Sequence, residues 1–296
     1  MSLAIKGRQV AERKLAIYLL ALPIAFLLSV TVYPLLHTIS LSVHDFRTGA
    51  FVGTQNFLRA FNDPALVASV RVTVIYVCVA VLSEAVLGLL AAVVINRSVS
   101  SPLLRGLIYS VMIVPMVTPS VAAGVIARLI YIPGYGILNY VLRAAGIISR
   151  DVLWLSTPSS AMFCVLSVDI WQWTPFVFLV LFAGLTAVPR DIVEAALVDG
   201  ASGVELFRYV ELPFLKNLLL MVVMFRFADT FRVFDHVMAL TGGGPGSATE
   251  FLSVYLYRIA FKFWNLNYAA AIAIFVVIVA SILMYFLGKV LTSEVA

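Results

Sequence analysis

The sequence has few charged residues, few cysteines and few histidines. Only 12% of its 296 residues are charged, against about a quarter in soluble domains, and 62% are hydrophobic. Its two cysteines, Cys78 and Cys164, lie in apolar stretches and offer neither a disulfide framework nor a metal-binding pair. The three histidines are too dispersed for a metal cluster, so no metal site is predicted. This composition excludes a soluble domain and indicates an integral membrane protein.

The long apolar stretches predict an all-α integral membrane fold with six transmembrane helices, because no stretch alternates in polarity as a membrane β-strand does. Each stretch is long enough to cross a bilayer core of about 30 Å. The predicted spans cover residues 15–36, 70–95, 106–131, 161–187, 218–240 and 268–290. Pro23 and Pro34 are expected to kink or end the first helix. The predicted organisation is an N-terminal tail (1–14), a six-span domain (15–290) and a C-terminal tail (291–296).

Basic residues predict the orientation of the spans. More Lys and Arg lie on the side of the two termini than on the other side, so the positive-inside rule places both termini in the cytoplasm of a multi-pass protein in the cell membrane. The first span is expected to be retained, because its apolar run exceeds that of a secretory signal and no cleavage site follows. The basic residues are scattered at loop and span ends rather than gathered into a patch, so no nucleic-acid partner is predicted.

The longest connection on the inner side, residues 189–217, carries helix start and stop signals. Asp191 and Glu194 have the spacing of a capping box, and Gly200 stands where a helix C-cap favours glycine. Ser202 and Glu205 repeat the capping-box pattern, which predicts a second short helix with Ser202 as its N-cap. We therefore expect two short helices in this loop.

The segment Gly200-Ala201-Ser202-Gly203 also matches the GxSG pattern that holds the nucleophile of rhomboid-like serine proteases. A nucleophile would require a serine at membrane depth and a general base, usually a histidine on another helix. The last span has no histidine and Ser202 lies in a loop. The N-cap role is therefore favoured over catalysis.

This loop resembles the EAA motif of binding-protein-dependent ABC importer permeases. The matching elements are Glu194-Ala195-Ala196, Asp199-Gly200-Ala201 and Val210-Glu211-Leu212-Pro213, with valine where isoleucine is commoner. The resemblance implies a cytoplasmic coupling helix pair between spans four and five that inserts into a cleft of a separate ATPase. The ATPase-coupling residues implied by the motif are Glu194, Ala195, Ala196, Asp199, Gly200, Leu212 and Pro213. The alternative is an ordinary amphipathic surface loop.

Other segments are similar to the carbohydrate-uptake permeases of this family, of the maltose and glycerol-3-phosphate kind. These segments are 52–57, 171–176, 183–185, and 234–235 with 240–246. Thr54 and the charged Glu84 of span two depart from the usual pattern. The resemblance implies four kinds of partner: a second homologous permease, two ATP-binding subunits, an extracytoplasmic solute-binding protein and membrane lipid.

The chain is expected to bind no cofactor and to catalyse no bond chemistry, with ATP and Mg²⁺ held by the partner ATPase subunits. The glycine-rich stretch 242–246 lacks the G-K-[ST] ending of a phosphate-binding loop. The resemblance implies alternating access for a carbohydrate or related polyhydroxylated solute, coupled to the ATPase through the loop.

The fifth predicted span places a charge at every third position, with alternating sign: Arg226, Asp229, Arg232 and Asp235. Neighbours at i and i+3 on a helix can pair, and bare charges would each cost about 2.5–3.5 kcal/mol at the membrane centre. These side chains must therefore face protein or water. Two interpretations stay open: a solute path, or a structural ion ladder against a partner subunit.

Span four adds Asp169, Trp171 and Trp173 to the candidate solute path. A carboxylate that accepts hydrogen bonds and rings that stack on C–H faces suit a hydroxyl-rich solute. An interfacial aromatic belt is the alternative for the two tryptophans.

Two other transport classes remain as competitors. The segment Pro133-Gly134-Tyr135-Gly136 contains the Gly-Tyr-Gly of potassium-channel filters, but it follows the third span and lacks a preceding Thr-Val. An ion-gradient-driven secondary transporter would also suit charged spans with Gly and Pro. It would not need an EAA loop, so it is the second choice.

Overall fold

The computed structural model describes residues 2–293, and within this range the chain forms helices and no named β-strand. The all-α prediction is confirmed for this range. Residues 294–296 of the predicted C-terminal tail lie outside the described residues. The helices are α1 (Ser2–Ser42), α2 (Gln55–Phe61), α3 (Pro64–Ser98), α4 (Pro102–Val117), α5 (Ser120–Tyr131), α6 (Ile137–Ala144), α7 (Pro158–Thr186), α8 (Arg190–Val198), α9 (Gly203–Leu206), α10 (Leu212–Thr230), α11 (Asp235–Leu240), α12 (Leu252–Tyr257) and α13 (Leu266–Ser293), with π-helical turns at Phe207–Glu211 and Arg258–Lys262.

Length and composition identify three helices in the described chain that can cross a membrane. They are Tyr18–Ser42 within α1, α3 and α7, and the bent pair α4 and α5 makes a fourth if it counts as one span. The last helix, α13, contributes a shorter apolar segment over Leu266–Ile282. The count of six spans therefore stays a prediction.

Three predicted helices differ from the observed ones at prolines and helix breaks. Pro23 and Pro34 do not end α1, which continues to Ser42. The predicted span 106–131 is interrupted at Thr118, and its halves are bent by 95°. Thr118 has an extended backbone with ψ of 124°, because the following Pro119 disfavours the helical conformation at the residue before it. The predicted span 218–240 also breaks, since α10 ends at Thr230 before α11 begins.

The chain divides into two compact units, Met1–Asp63 with Arg258–Ile278, and Pro64–Tyr257 with Val279–Ala296. In the first unit, two asparagine amides bind the carbonyl groups at the end of α1. Asn56 donates to the carbonyl oxygens of Ser42 and His44 at 2.9 and 3.0 Å. Asn267 donates to the oxygens of Leu41 and His44, both at 3.0 Å. These bonds satisfy carbonyl groups that lack a helical partner, which gives Asn56 a structural role.

In the second unit, glycines permit close packing between helices. A Cβ atom at Gly88 of α3 would lie 2.7 Å from the side chain of Val177 and 3.0 Å from the backbone nitrogen of Phe178. At Gly124 of α5, a Cβ would lie 2.7 Å from the backbone oxygen of His236. Any larger residue would force α3 away from α7, or α5 away from α11. This packing holds the charged residues of α7 and α10 near one another.

Candidate functional site

The predicted coupling loop begins with α8, which ends in a glycine C-cap as the sequence predicts. Gly200 has a φ of +87°, a left-handed conformation that favours glycine. The Gly200 N–H donates to the Leu197 oxygen at 3.1 Å, and the Ala201 N–H donates to the Ala196 oxygen at 3.0 Å. These two bonds form a Schellman motif, which satisfies the last carbonyls of the helix.

The capping box expected at Asp191 is absent from this helix, and that prediction is wrong. Pro189 is the N-cap residue of α8 and makes no side-chain cap bond. Because Pro189 is the N-cap, the helix starts two residues earlier than an Asp191 N-cap would place it, and Asp191 lies inside the first turn. There its negative charge is favourable beside the positive helix end, but its side chain does not cap.

Ser202 is the N-cap of α9, as predicted. Its hydroxyl oxygen accepts from the Glu205 N–H at 3.3 Å, and its own N–H donates to Oε2 of Glu205 at 2.7 Å. The backbone N–H of Ser202 holds the pKa of Glu205 below its usual range. Ser202 is thus used in a reciprocal capping box, which leaves the protease hypothesis without support from its surroundings.

The second loop helix does not stand apart from the following span. The backbone stays helical from Gly203 to Thr230, passing through the π-helical turn Phe207–Glu211 into α10. Glu211, in the last position of that turn, is buried and pairs with Arg97 of α3 at 2.7 Å. The second half of the loop is therefore continuous with α10 and is joined to α3 by an ion pair.

The side chains predicted to couple to an ATPase lie mostly at the surface. Glu194, Ala195 and Asp199 are exposed, and Ala196 is half-buried. No residue of α8 is buried within the described chain. Of the three remaining motif residues, Leu212 is half-buried, and Gly200 and Pro213 are exposed. The apolar and acidic groups of α8 are thus accessible to a partner.

The charged candidates converge on Arg226, which is 1% exposed. Its Nε and Nη2 donate to the two carboxylate oxygens of Glu84 at 2.7 and 3.0 Å. Its Nη1 donates to Asp229 at 2.8 Å, and Nη2 lies 3.5 Å from Asp169. The guanidinium carbon also lies 4.4 Å from the centre of the Trp173 ring. A buried arginine is expected to have such partners, because an unpaired charge would be costly.

The predicted i, i+3 ladder forms only in part. Arg226 and Arg232 both pair with Asp229, at 2.8 and 3.1 Å. Asp235 begins α11 beyond the helix break, is exposed, and does not continue the ladder in the described structure. Since Glu84 and Asp169 come from other helices, the charges form a cluster between α3, α7 and α10.

A cavity of about 280 Å³ adjoins this cluster. It is lined by Ser120, Asp169, Trp173, Asp229, Thr230, Arg232, Val233, Phe234, Asp235 and His236. Asp169 is 3% exposed, and its Oδ2 atom has no hydrogen-bond partner in the described structure. The hydroxyl of buried Thr230 is also unpartnered among the described residues. Asp169 and Thr230 thus border the cavity beside Trp173, and each has a buried polar atom without a partner in the described structure.

The helix break before α5 and the break after α10 both meet this cavity. Ser120 is the first residue of α5, and residues 231–234 separate α10 from α11. The Thr118 carbonyl, exposed by the break before α5, accepts from the Gln172 amide at 2.6 Å. Irregular backbone at membrane depth is tolerated where it is buried in protein or lines a cavity.

Trp171 is separated from the other candidates. Its side chain is 48% exposed and lines a different, mainly apolar cavity with Ile126, Ile130 and Tyr131. Trp171 and Trp173 point to different sides of α7, since they are two residues apart on a helix. Five of the seven solute-path candidates line the charged cavity, Arg226 lies behind it, and Trp171 does not reach it.

Sequence reasoning missed the roles of Glu84, Ser120 and His236. Glu84 is noticeable as a single carboxylate in an apolar span, but its pairing with Arg226 depends on a contact across 142 residues. Ser120 and His236 line the cavity because helices break beside them. The imidazole of His236 also contacts the Tyr76 hydroxyl at 3.2 Å.

Comparison with known proteins identifies the family. The family described as "Binding-protein-dependent transport system inner membrane component" matches residues 84–296, which is well over half of the chain. The chain belongs to this family. Membership confirms the resemblance drawn from the EAA-like loop, and it makes the chain a transport component of the inner membrane.

Within this permease family, one relative matches nearly the whole chain. The trehalose/maltose transport system permease protein MalF of Thermococcus litoralis is 36% identical over 284 residues, covering 93% of each protein. The match extends well beyond the family segment, so the similarity is not limited to the loop and its neighbouring helices.

Two solved structures share the fold of this permease. One is a bacterial ABC transporter involved in import of the acidic polysaccharide alginate, with a TM-score of 0.85 and 20% identity over 96% of this chain and 98% of that one. The other is a bacterial alginate ABC transporter in complex with a periplasmic protein bound to an alginate pentasaccharide, with a TM-score of 0.82, 21% identity and 94% of each chain covered. At this identity the likeness establishes the ABC permease fold alone.

Proposed function

We propose that this chain is the permease subunit of an ATP-driven importer for a carbohydrate or related polyhydroxylated solute. The observation that carries the proposal is the cavity beside Arg226, together with the relative that transports trehalose and maltose. Asp169 and Trp173 line the same cavity. Sugars offer hydroxyl donors and C–H faces that suit these two groups.

The proposed topology has six membrane crossings and both termini in the cytoplasm. In this arrangement α4 and α5 form the third crossing with a bend, and α10 together with α11 forms the fifth. The charges that lower the hydropathy of the fifth crossing are paired with one another or turned toward the cavity. A membrane helix tolerates such residues when they face protein or a water-filled cavity.

In the proposed solute path, Asp169, Asp229, Arg232 and Asp235 contact solute hydroxyls and Trp173 stacks on the sugar ring. Arg226 holds Asp169 and Asp229 in position rather than contacting solute, because its donors face three carboxylates. This assignment combines both interpretations of the charged residues. The buried part of the cluster is structural, and the part at the cavity binds solute.

The proposed coupling element is the loop 189–217, with Glu194, Ala195, Ala196 and Asp199 of α8 facing a groove of the ATPase. The supporting feature is that α8 is short, surface-exposed and fixed at its end by the Gly200 C-cap. Closure of the ATPase dimer on ATP would displace the loop and open the solute path outward, and hydrolysis would reverse the change. The other expected partners are a second permease, a second ATPase subunit and an extracytoplasmic solute-binding protein.

Copurification and ATPase assays test this function. The chain is purified in mild detergent with its associated subunits, and ATP hydrolysis is measured with and without solute-loaded binding protein. Glu194→Ala is expected to lower stimulated hydrolysis and to weaken association with the ATPase. Asp45→Asn, which changes a half-buried carboxylate predicted on the opposite side of the membrane, should change neither. Recovery of a chain that transports solute with an ion gradient alone would instead establish a secondary transporter.

A further inference from the structure

Two ion pairs of opposite polarity join α3 and the helical segment that ends in α10. In one pair, Glu84 of α3 accepts from Arg226 of α10 in a bidentate contact at 2.7 and 3.0 Å. In the other pair, Arg97 of α3 donates to Glu211 at 2.7 Å. Glu211 immediately precedes α10, so both pairs connect the same two helical segments.

The spacing of the pairs matches an antiparallel arrangement. Along α3, Glu84 and Arg97 are about 20 Å apart, and along the other segment Glu211 and Arg226 are about 22 Å apart, at 1.5 Å of rise per residue. Each helix carries one charge of each sign. Reversing one helix, or exchanging the pairs, would place like charges together, and like-charge contacts disfavour the alternative arrangement. The charges therefore define one relative orientation of the two helices.

The two pairs differ in burial. The side chains of Glu84 and Arg226 are 0% and 1% exposed, whereas those of Glu211 and Arg97 are 7% and 35% exposed. A Cβ added to Gly203 would also lie 3.2 Å from Nη1 of Arg97, so the guanidinium contacts the start of α9 as well as Glu211. Arg97 of α3 thus lies near both ends of the segment 203–211, which precedes α10.

We propose that the two ion pairs make α3 and α10 move as one body, so that displacement of the coupling loop reaches the Arg226 cluster through both helices. Arg97 and Glu211 act as positioning residues at the loop end, and Glu84 and Arg226 hold the solute end. The π-helical turn Phe207–Glu211 lies within the loop, between α9 and α10. Such turns are often found at functional positions in helices. This inference rests on the proposed coupling function of the loop.

The test measures solute uptake per ATP hydrolysed by the complete transporter in proteoliposomes. We expect Arg97→Gln and Glu211→Gln each to lower this ratio at least about fivefold, the low end of ordinary coupling factors, while the ATPase still copurifies. The double variant Arg97→Glu with Glu211→Arg should restore most of the ratio. A matched control is Arg143→Gln, which breaks an ion pair with Asp151 that joins neither α3 nor α10, and it should leave the ratio unchanged.

Two results would overturn the inference. An unchanged ratio in both single variants would show that the pair transmits nothing. Loss of the ATPase in Arg97→Gln, without rescue by the charge exchange, would mean that Arg97 binds the ATPase directly. If Arg97→Gln does not accumulate, Glu211→Gln decides the question, because it keeps the shape of the side chain. Failure of the coupling function itself is recognised separately, by unchanged coupling in Glu194→Ala.

Discussion

The 189–217 loop and the Arg226 cluster are two polar regions of this apolar chain, and the polar groups of the loop's capping box and of the cluster are paired in different ways. In the loop, Ser202 and Glu205 satisfy each other across three residues and remain exposed to solvent. In the cluster, Arg226 pairs with Asp169 and Glu84 across 57 and 142 residues and is buried. The comparison shows that the exposed capping box depends on local sequence, while the buried cluster depends on the packing of distant helices.

Energetics follow the same division. A loop side chain that loses its partner can still bind water, so the cost of the change is small and local. A cluster side chain that loses its partner leaves a charge inside the protein with fewer hydrogen bonds. We therefore expect substitutions in the cluster to affect the whole fold and substitutions in the loop to affect the loop and its function.

The largest effect is expected from Glu84→Ala, which removes the bidentate partner of Arg226. Loss of one member of a buried ion pair typically costs about 3–5 kcal/mol, so the variant should accumulate poorly and melt at a clearly lower temperature in detergent. Arg232→Gln is the matched comparison, because Arg232 is 77% exposed and an exposed pair contributes about 0–1 kcal/mol. Equal melting temperatures for the two variants would remove the distinction between the buried and exposed halves of the cluster.

A smaller effect is expected from Gly88→Ala at the contact of α3 with α7. The added methyl group would lie 2.7 Å from Val177, and overpacking of this kind costs about 1–3 kcal/mol. Gly106→Ala in α4 meets no atom within 4 Å and should change stability by about 1 kcal/mol at most. Thermal unfolding of both variants checks this prediction. A stable Gly88→Ala variant would mean that the cluster does not depend on close approach of α3 to α7.

In the loop, Ser202→Ala should reduce only the local stability of α9, by about 0.5–2 kcal/mol. Hydrogen exchange of the amides at 203–206 should become faster, while the melting temperature of the whole chain stays the same. Ser202→Asp keeps a capping oxygen and serves as the control. Complete loss of transport in Ser202→Ala, with normal exchange rates, would indicate a chemical role for the hydroxyl.

The smallest effect concerns pH. The pKa of Glu205 is lowered in the folded loop, chiefly by the Ser202 backbone N–H, so the ionised carboxylate stabilises the capping box. This contribution is present above the ordinary pKa of glutamate and is lost as the pH falls through the lowered value. Exchange at 203–206 should therefore accelerate on acidification in the native chain, and Glu205→Gln should show little such dependence. The same acceleration in Glu205→Gln would assign the pH response to another group.

The sequence predicts the local features of the fold better than its long-range contacts. The Gly200 C-cap and the Ser202 N-cap follow from residue types within a few positions of each other. The breaks at Thr118 and after Thr230 were missed because both lie within long apolar runs. Pro119 is a local signal for the first break, but the bond from Gln172 to the Thr118 carbonyl depends on packing against another helix. Partners of Arg226 could be predicted only where they lie on the same helix, as Asp229 does.

The central claim is that this permease imports its solute with energy from a separate ATPase acting through the 189–217 loop. The most direct measurement is solute uptake by proteoliposomes that contain the complete transporter and solute-loaded binding protein, with ATP or an ion gradient as the sole energy source. We expect uptake with ATP, none with the gradient alone, and strongly reduced ATP-driven uptake in Glu194→Ala. Uptake driven by the gradient alone, and unaffected by Glu194→Ala, would contradict the account.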